Sequence, residues 1–177
     1  MTNQQALLQT IKNEAAHIEN EIAAEEAEQE RLIELLAAEQ RRGGIAPGEL
    51  FPPLNPTRIV SAYGPRLHPI LGYTRTHAGL DLDGDNGQEI FAAASGTVIY
   101  SGYRGGYGNT VIIDHGGGMA TLYAHQSSLV ADRGDEVSLG DLIGYVGSTG
   151  LSTGPHLHFE VRINGAHTDP APYFTVL

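Results

Sequence analysis

The 177-residue chain contains no cysteine. That excludes disulfides, thiolate metal sites, thiol nucleophiles and iron–sulfur clusters, and leaves His, Asp and Glu as the only ligands for a metal. Tryptophan is also absent, and Lys12 is the single lysine. The glycine-punctuated stretch GDEVSLGDLIGYVG has the turns of a biotin- or lipoyl-carrier module, but such a module needs a lysine at a hairpin tip, and Lys12 lies far upstream. Basic residues are scarce: 10 Lys and Arg against 21 Asp and Glu give a formal net charge of −11. With no basic cluster to neutralise phosphates, nucleic acid is excluded as a partner. No apolar run approaches the roughly 18 residues of a membrane helix, so no transmembrane segment is expected. The opening MTNQQALLQTIKNEAAH is too polar for a signal peptide, so either the protein is cytoplasmic or this chain is a fragment without its targeting segment.

Residues 1–42 lack Gly and Pro and are rich in Ala, Glu, Gln and Leu. Leu8, Ile11, Ala15, Ile18 and Ile22 follow steps of three and four, and Leu32 and Leu36 resume the register after Glu25 and Gln29. This predicts one amphipathic helix with coiled-coil spacing, expected to pair with another helix or a second copy or else to dock on its own domain. RRGGIAPGELFPPLNP stops it, since a Gly pair caps and prolines cannot continue a helix. Residues 43–56 read as a linker, with Ile45, Leu50 and Phe51 able to lie along the next domain. From residue 57 to 177 short β-branched runs (GTVIYSG, NTVIIDHG, MATLYAH, LHFEVRING) alternate with Gly and Asp turns. The fold class expected is mainly β, an antiparallel sheet or sandwich behind one long helix.

The segment STGPHLHFEV places His156 and His158 two apart in a strand, so both imidazoles share a face while Leu157 packs behind. Upstream, RTHAGLDLDG sets His77 and Asp81 four apart, also one face if the segment is a single strand. His125 closes the strand LYAH. Two histidines and a carboxylate from separate elements make three legs of a tetrahedral zinc site with the fourth position open. The other histidines read as structural: His17 exposed on the helix, His68 in a loop, His115 in a turn and His167 beyond the last strand. Asp83 and Asp85 resemble a calcium loop without its twelfth-position Glu and read as turn formers. Tyr107 and Asn109, in GYRGGYGN, form either a hairpin tip or the wall of a cleft.

On HAGLD, GYGNTVIIDHG, TLYAH, GSTGLSTGPHLHFEVR and DPAPYF, in this order, residues 57–174 resemble the lysostaphin-type zinc metallopeptidases, the LytM or M23 family. The resemblance implies a compact antiparallel β fold with a groove over the sheet. It implies Zn²⁺ held by His77, Asp81 and His158, with His125 and His156 as catalytic residues beside it and Tyr73 as a transition-state stabiliser. His156 is expected to act as the base and His125 to support the oxyanion. The activity implied is cleavage of peptide cross-links or stem peptides in bacterial peptidoglycan, at D-Ala–meso-diaminopimelate or Gly–Gly bonds. That places the protein in the cell envelope, periplasmic or extracellular. The alternative the resemblance offers is a non-catalytic factor that activates a separate cell-wall amidase through its coiled coil. The intact five-residue core disfavours it.

Overall fold

Residues Asn3–Gln40 form one helix, α1, about 57 Å long at 1.5 Å per residue. A run of strong helix formers without Gly or Pro accounts for its length. The computed structural model describes residues 3–40, 47–67 and 74–174. The strands among them are β1 (Ile59–Ser61), β2 (Gly64–Leu67), β3 (Thr74–His77), β4 (Leu80–Asp83), β5 (Glu89–Phe91), β6 (Gly96–Arg104), β7 (Gly108–Asp114), β8 (Met119–Gln126), β9 (Ser128–Leu129), β10 (Glu136–Val137), β11 (Leu142–Tyr145), β12 (His156–Ile163) and β13 (Ala166–Thr168). The main sheet runs β1-β4-β12-β8-β7-β6-β10, with β13 beside β12, and each of its pairs is antiparallel. The sheets β5-β11-β9 and β2-β3 are smaller. The mainly β, antiparallel fold with one leading helix agrees with the sequence.

Period-two alternation decides which face does what. Leu157, Phe159 and Val161 of β12 join Leu80, Leu82, Val111, Ile113 and Tyr123 in one core, which Ile90 and Ile143 of the three-stranded sheet complete. Each such side chain contributes about 1.5–3 kcal/mol when fully buried. The intervening residues His158, Glu160 and Arg162 point to the opposite face and are buried there too.

Helix α1 covers part of that second face. Ile33 packs with Ile99, Ile112, Ala120, Leu122 and Ala124, and the Glu30 carboxylate accepts a hydrogen bond from Arg162 Nη1. The helix therefore docks on its own sheet through its later turns, while Leu7, Leu8, Ile11 and Ile18 stand exposed. Residues 47–56, read from sequence as the end of a linker, are packed: Leu50 and Leu54 lie in the core. The Leu50 N–H donates to the Tyr173 carbonyl and the Phe91 N–H to that of Pro53. Phe51 is exposed, and Ile45 lies outside the described residues.

Candidate metal centre

His77 and Asp81 do not share a strand, contrary to the expectation from their spacing. His77 ends β3 and Asp81 lies in β4. Between them, Gly79 sits where a Cβ would run into the Phe159 carbonyl oxygen. The absence of a side chain lets β4 lie against β12, and the register then sets Asp81 directly opposite His158.

The outcome is a tight triangle of donor atoms. His77 Nε2 stands 3.0 Å from Asp81 Oδ1 and 3.1 Å from His158 Nδ1, and His158 Nδ1 is 2.9 Å from Asp81 Oδ1. Outer partners fix which nitrogen carries the proton. His77 Nδ1 lies 2.8 Å from the Ala62 carbonyl oxygen, and His158 Nε2 lies 3.0 Å from Glu160 Oε1. Both partners only accept, so both outer nitrogens donate, and the inner nitrogens are left with a lone pair each to offer a proton or a metal ion. Two imidazole lone pairs and a carboxylate oxygen facing one another at this distance repel unless a cation stands between them. Ligands gathered by one small divalent ion at about 2.0–2.1 Å are roughly 3.4 Å apart in tetrahedral geometry. These three donors stand within a few tenths of an ångström of that spacing and could hold such an ion.

The electrostatics carry the same signature. Burial alone would raise the Asp81 carboxyl, but hydrogen bonds with His158 and His77 hold it far below the carboxylate range. Burial alone would lower His158. Its hydrogen bonds with Asp81 and Glu160, and their charges, raise it instead to about 9. A proton and a metal ion therefore compete for the same lone pair on Nδ1.

Two further imidazoles adjoin the triangle. His156 Nε2 is 3.7 Å from Asp81 Oδ1, while its Nδ1 is 2.8 Å from the Gly154 carbonyl oxygen. His125 breaks the alternation of β8. Met119 and Tyr123 of that strand face the core, so residue 125 would face it too. Its φ of 60° instead turns the ring toward the other face, 4.8 Å from the His156 ring and 5.9 Å from that of His158. A positive φ is uncommon outside glycine and costs on the order of 1–3 kcal/mol, a strain found at functional positions. His125 Nδ1 lies 2.8 Å from the Thr149 carbonyl oxygen, so its bare Nε2 is left for the groove. Burial, together with the positive charge on His158, lowers the His125 pKa to about 4, so at neutral pH it is an uncharged acceptor.

The family model of peptidase family M23 matches residues 75–170, a span that holds all five of these side chains. The chain belongs to peptidase family M23. It is 47% identical over 131 residues to the DD-carboxypeptidase/endopeptidase Mpg of Neisseria meningitidis serogroup B, a match covering 74% of this chain and 29% of that protein. It is 40% identical over 119 residues to the peptidoglycan DD-endopeptidase ShyC of Vibrio cholerae, covering 67% and 28%. A crystal structure of a zinc containing peptidase from Vibrio cholerae superposes with a TM-score of 0.65 at 31% identity, covering 71% of this chain and 39% of that one. The chain thus spans under a third of the length of these two curated relatives.

Around the M23 site, Tyr107 walls the cleft rather than capping a free hairpin. Its ring lies 5.6 Å from that of His158, under the Arg104 guanidinium at 4.9 Å, and its hydroxyl donates to Glu160 Oε1 at 2.7 Å. Asn109 holds the end of β8 through the Gln126 carbonyl. His115 stands at the turn after β7 and is buried there, bridging the Ser95 carbonyl and the Thr121 hydroxyl. His167 meets the Tyr63 hydroxyl, Asp83 pairs with Arg58, Asp85 shapes a turn with Gln88, and His17 is exposed. Tyr73 and His68 lie outside the described residues. Glu160 and Arg162 were missed in the sequence. The signal was present: in HLHFEVR the residues at 156, 158, 160 and 162 are all polar and the three between them apolar.

Proposed function

We propose that this M23 domain is a zinc-dependent endopeptidase acting on the peptides of bacterial peptidoglycan in the cell envelope. The observation that carries the reading is the convergence of His77 Nε2, Asp81 Oδ1 and His158 Nδ1 at 2.9–3.1 Å, with two more imidazoles alongside. The name of the Vibrio relative supports peptidoglycan as substrate, and the DD specificity in the names of both relatives favours the D-Ala–meso-diaminopimelate cross-link over a glycine bridge. Zinc suits a donor set of two imidazoles and one carboxylate, and the zinc containing peptidase from Vibrio cholerae supports it further.

His77, Asp81 and His158 would hold the ion, which when bound would supply Lewis-acid polarisation of the scissile carbonyl and lower the pKa of water toward neutrality. The remaining work belongs to the chain. His156 presents Nε2 nearest the ligands and takes the proton of the nucleophilic water, returning it to the leaving amine. His125 is expected from sequence to support the oxyanion, but with its Nδ1 donating to the Thr149 carbonyl and its charge suppressed by burial its Nε2 has no proton to give; it instead accepts a hydrogen bond from the attacking water or the amide N–H and holds it in line. Tyr73 is proposed as a stabiliser of the tetrahedral oxyanion. The exposed stripe of Leu7, Leu8, Ile11 and Ile18 supports residues 1–42 as a module that pairs with another helix, in front of a β domain that performs the hydrolysis.

The test uses defined muropeptides and mass analysis of the released fragments. The chain is expected to cleave the D-Ala–meso-diaminopimelate bond, to stop on chelation and to recover with zinc. His77→Ala, Asp81→Ala and His158→Ala lose zinc and activity together. His125→Ala and His156→Ala retain zinc and lose a factor of about 10²–10⁴ in kcat. A chain that binds zinc yet cleaves nothing, while stimulating a separate amidase, would overturn the enzyme reading in favour of an activator.

A further inference from the structure

The face of β12 that carries the ligand His158 continues as an unbroken polar row into helix α1. Glu160 is fully buried, and its carboxylate is saturated. Oε1 accepts from His158 Nε2 at 3.0 Å and from the Tyr107 hydroxyl at 2.7 Å. Oε2 accepts from Arg162 Nε at 2.8 Å and Nη2 at 2.7 Å. The free arm of the Arg162 guanidinium, Nη1, donates in turn to Glu30 of α1. Four donors leave the carboxylate no alternative rotamer, and hydrogen bonds to a charged acceptor are the stronger ones in a buried setting.

We infer that Glu160 is a positioning residue for the metal ligand His158, and that Arg162 and Glu30 extend this hold to α1, so that docking of the helix and metal affinity are coupled. The inference rests on the metal reading above. Glu160 accepts from His158 Nε2, which fixes the ring with Nδ1 turned toward His77 and Asp81. Such outer partners of metal-bound histidines commonly change affinity by 10–100-fold. Arg162 holds the Glu160 carboxylate in place through two hydrogen bonds, and Glu30 satisfies the arm of Arg162 that would otherwise be buried with the Gly165 carbonyl oxygen as its remaining acceptor, at 3.4 Å. Coupling between two sites is reciprocal: whatever α1 contributes to metal affinity, bound metal returns to helix docking.

The experiment measures zinc affinity of the full chain by competition with a chromophoric chelator, and the protonation of His158 by long-range ¹H–¹⁵N NMR of the zinc-loaded protein. Glu160→Gln is expected to weaken zinc binding by about 10–100-fold and to lose the slowly exchanging Nε2–H signal. Tyr107→Phe, which leaves every charge in place, keeps the fold should Glu160→Gln unfold, and is expected to weaken binding by a smaller factor. Glu30→Gln, at a partly exposed ion pair, is expected to weaken it about two- to fivefold, and zinc should slow amide exchange in α1 of the wild type but not of Glu30→Gln. Wild-type zinc affinity in Glu160→Gln, or in Tyr107→Phe where the first variant is unfolded, would overturn the inference. So would an α1 whose exchange ignores zinc. A wild-type chain that binds no zinc would instead overturn the metal reading itself.

Discussion

Truncating Ile33 tests whether α1 is part of the sheet or merely attached to it. Ile33 is 7% exposed and lies against Ile99, Ile112, Ala120, Leu122 and Ala124. Ile33→Ala removes three carbons, about 2.4 kcal/mol at 0.8 kcal/mol per buried methylene. A residual cavity adds to this, since large-to-small changes in cores cost about 2–5 kcal/mol. A loss of about 3 kcal/mol shifts the docked-to-undocked ratio by roughly 100-fold. Ile18 supplies the matched control. It is the same residue type in the same helix but 55% exposed, so Ile18→Ala should move stability by no more than about 0.5 kcal/mol. Native-state amide exchange over residues 27–34 reads the difference directly, because opening that requires undocking accelerates with the loss. Equal protection in the two variants would refute the docking of α1 through Ile33.

Three further outcomes follow from the geometry. Replacing His125 by Gly removes the penalty of a positive φ along with the imidazole, so His125→Gly should exceed His125→Ala in stability by about 1 kcal/mol while both are inactive; equal denaturant midpoints would count against strain at this position. Gly79→Ala forces β4 off β12 and carries Asp81 away from His158, so it should weaken metal binding as well as stability, whereas Gly48→Ala, with nothing near its Cβ, should be silent by both thermal unfolding and metal titration. In chelator, stability should fall as pH drops from about 6.5 toward 5. Burial lowers His115 and lowers His125 to about 4, so the unfolded chain takes up protons in that window that the folded chain refuses. His158, raised to about 9, is protonated in both states by the bottom of the window and loses stability only at higher pH. Equal urea midpoints at pH 7 and 5.5 would contradict this.

What could be read from the residues depended on whether a local period carried it. The His156–His158 pair is legible because a strand alternates, and the same rule applied two and four residues on would have found Glu160 and Arg162. His77 and Asp81 converge as expected, but through a different cause. Their chain turns at Ala78–Gly79, and the contact is made by pairing of β4 with β12, a long-range event no spacing encodes. The position of His125 opposes the period of its own strand, since a single backbone dihedral redirects it. Helix α1 was legible from composition, yet its anchor Ile33 falls outside the heptad positions of Leu32 and Leu36, because the sheet it meets, rather than a second helix, selects the buried side. Leu50 packs against the domain as its apolar character in the linker suggested, whereas Leu54, between prolines, is identified as core only by the cluster that receives it.

Leu50 and Phe174 form a parallel bridge, so the backbone enters and leaves the β fold at one doorway. A short graft from Phe174 back to Leu50 would close the fold into a ring, and new ends opened at the exposed turn over 132–135 should still yield the sheet. A unit with adjoining entrance and exit can be set between neighbours in a longer polypeptide without stretching either connection, an arrangement well suited to a domain that matches less than a third of proteins such as Mpg and ShyC.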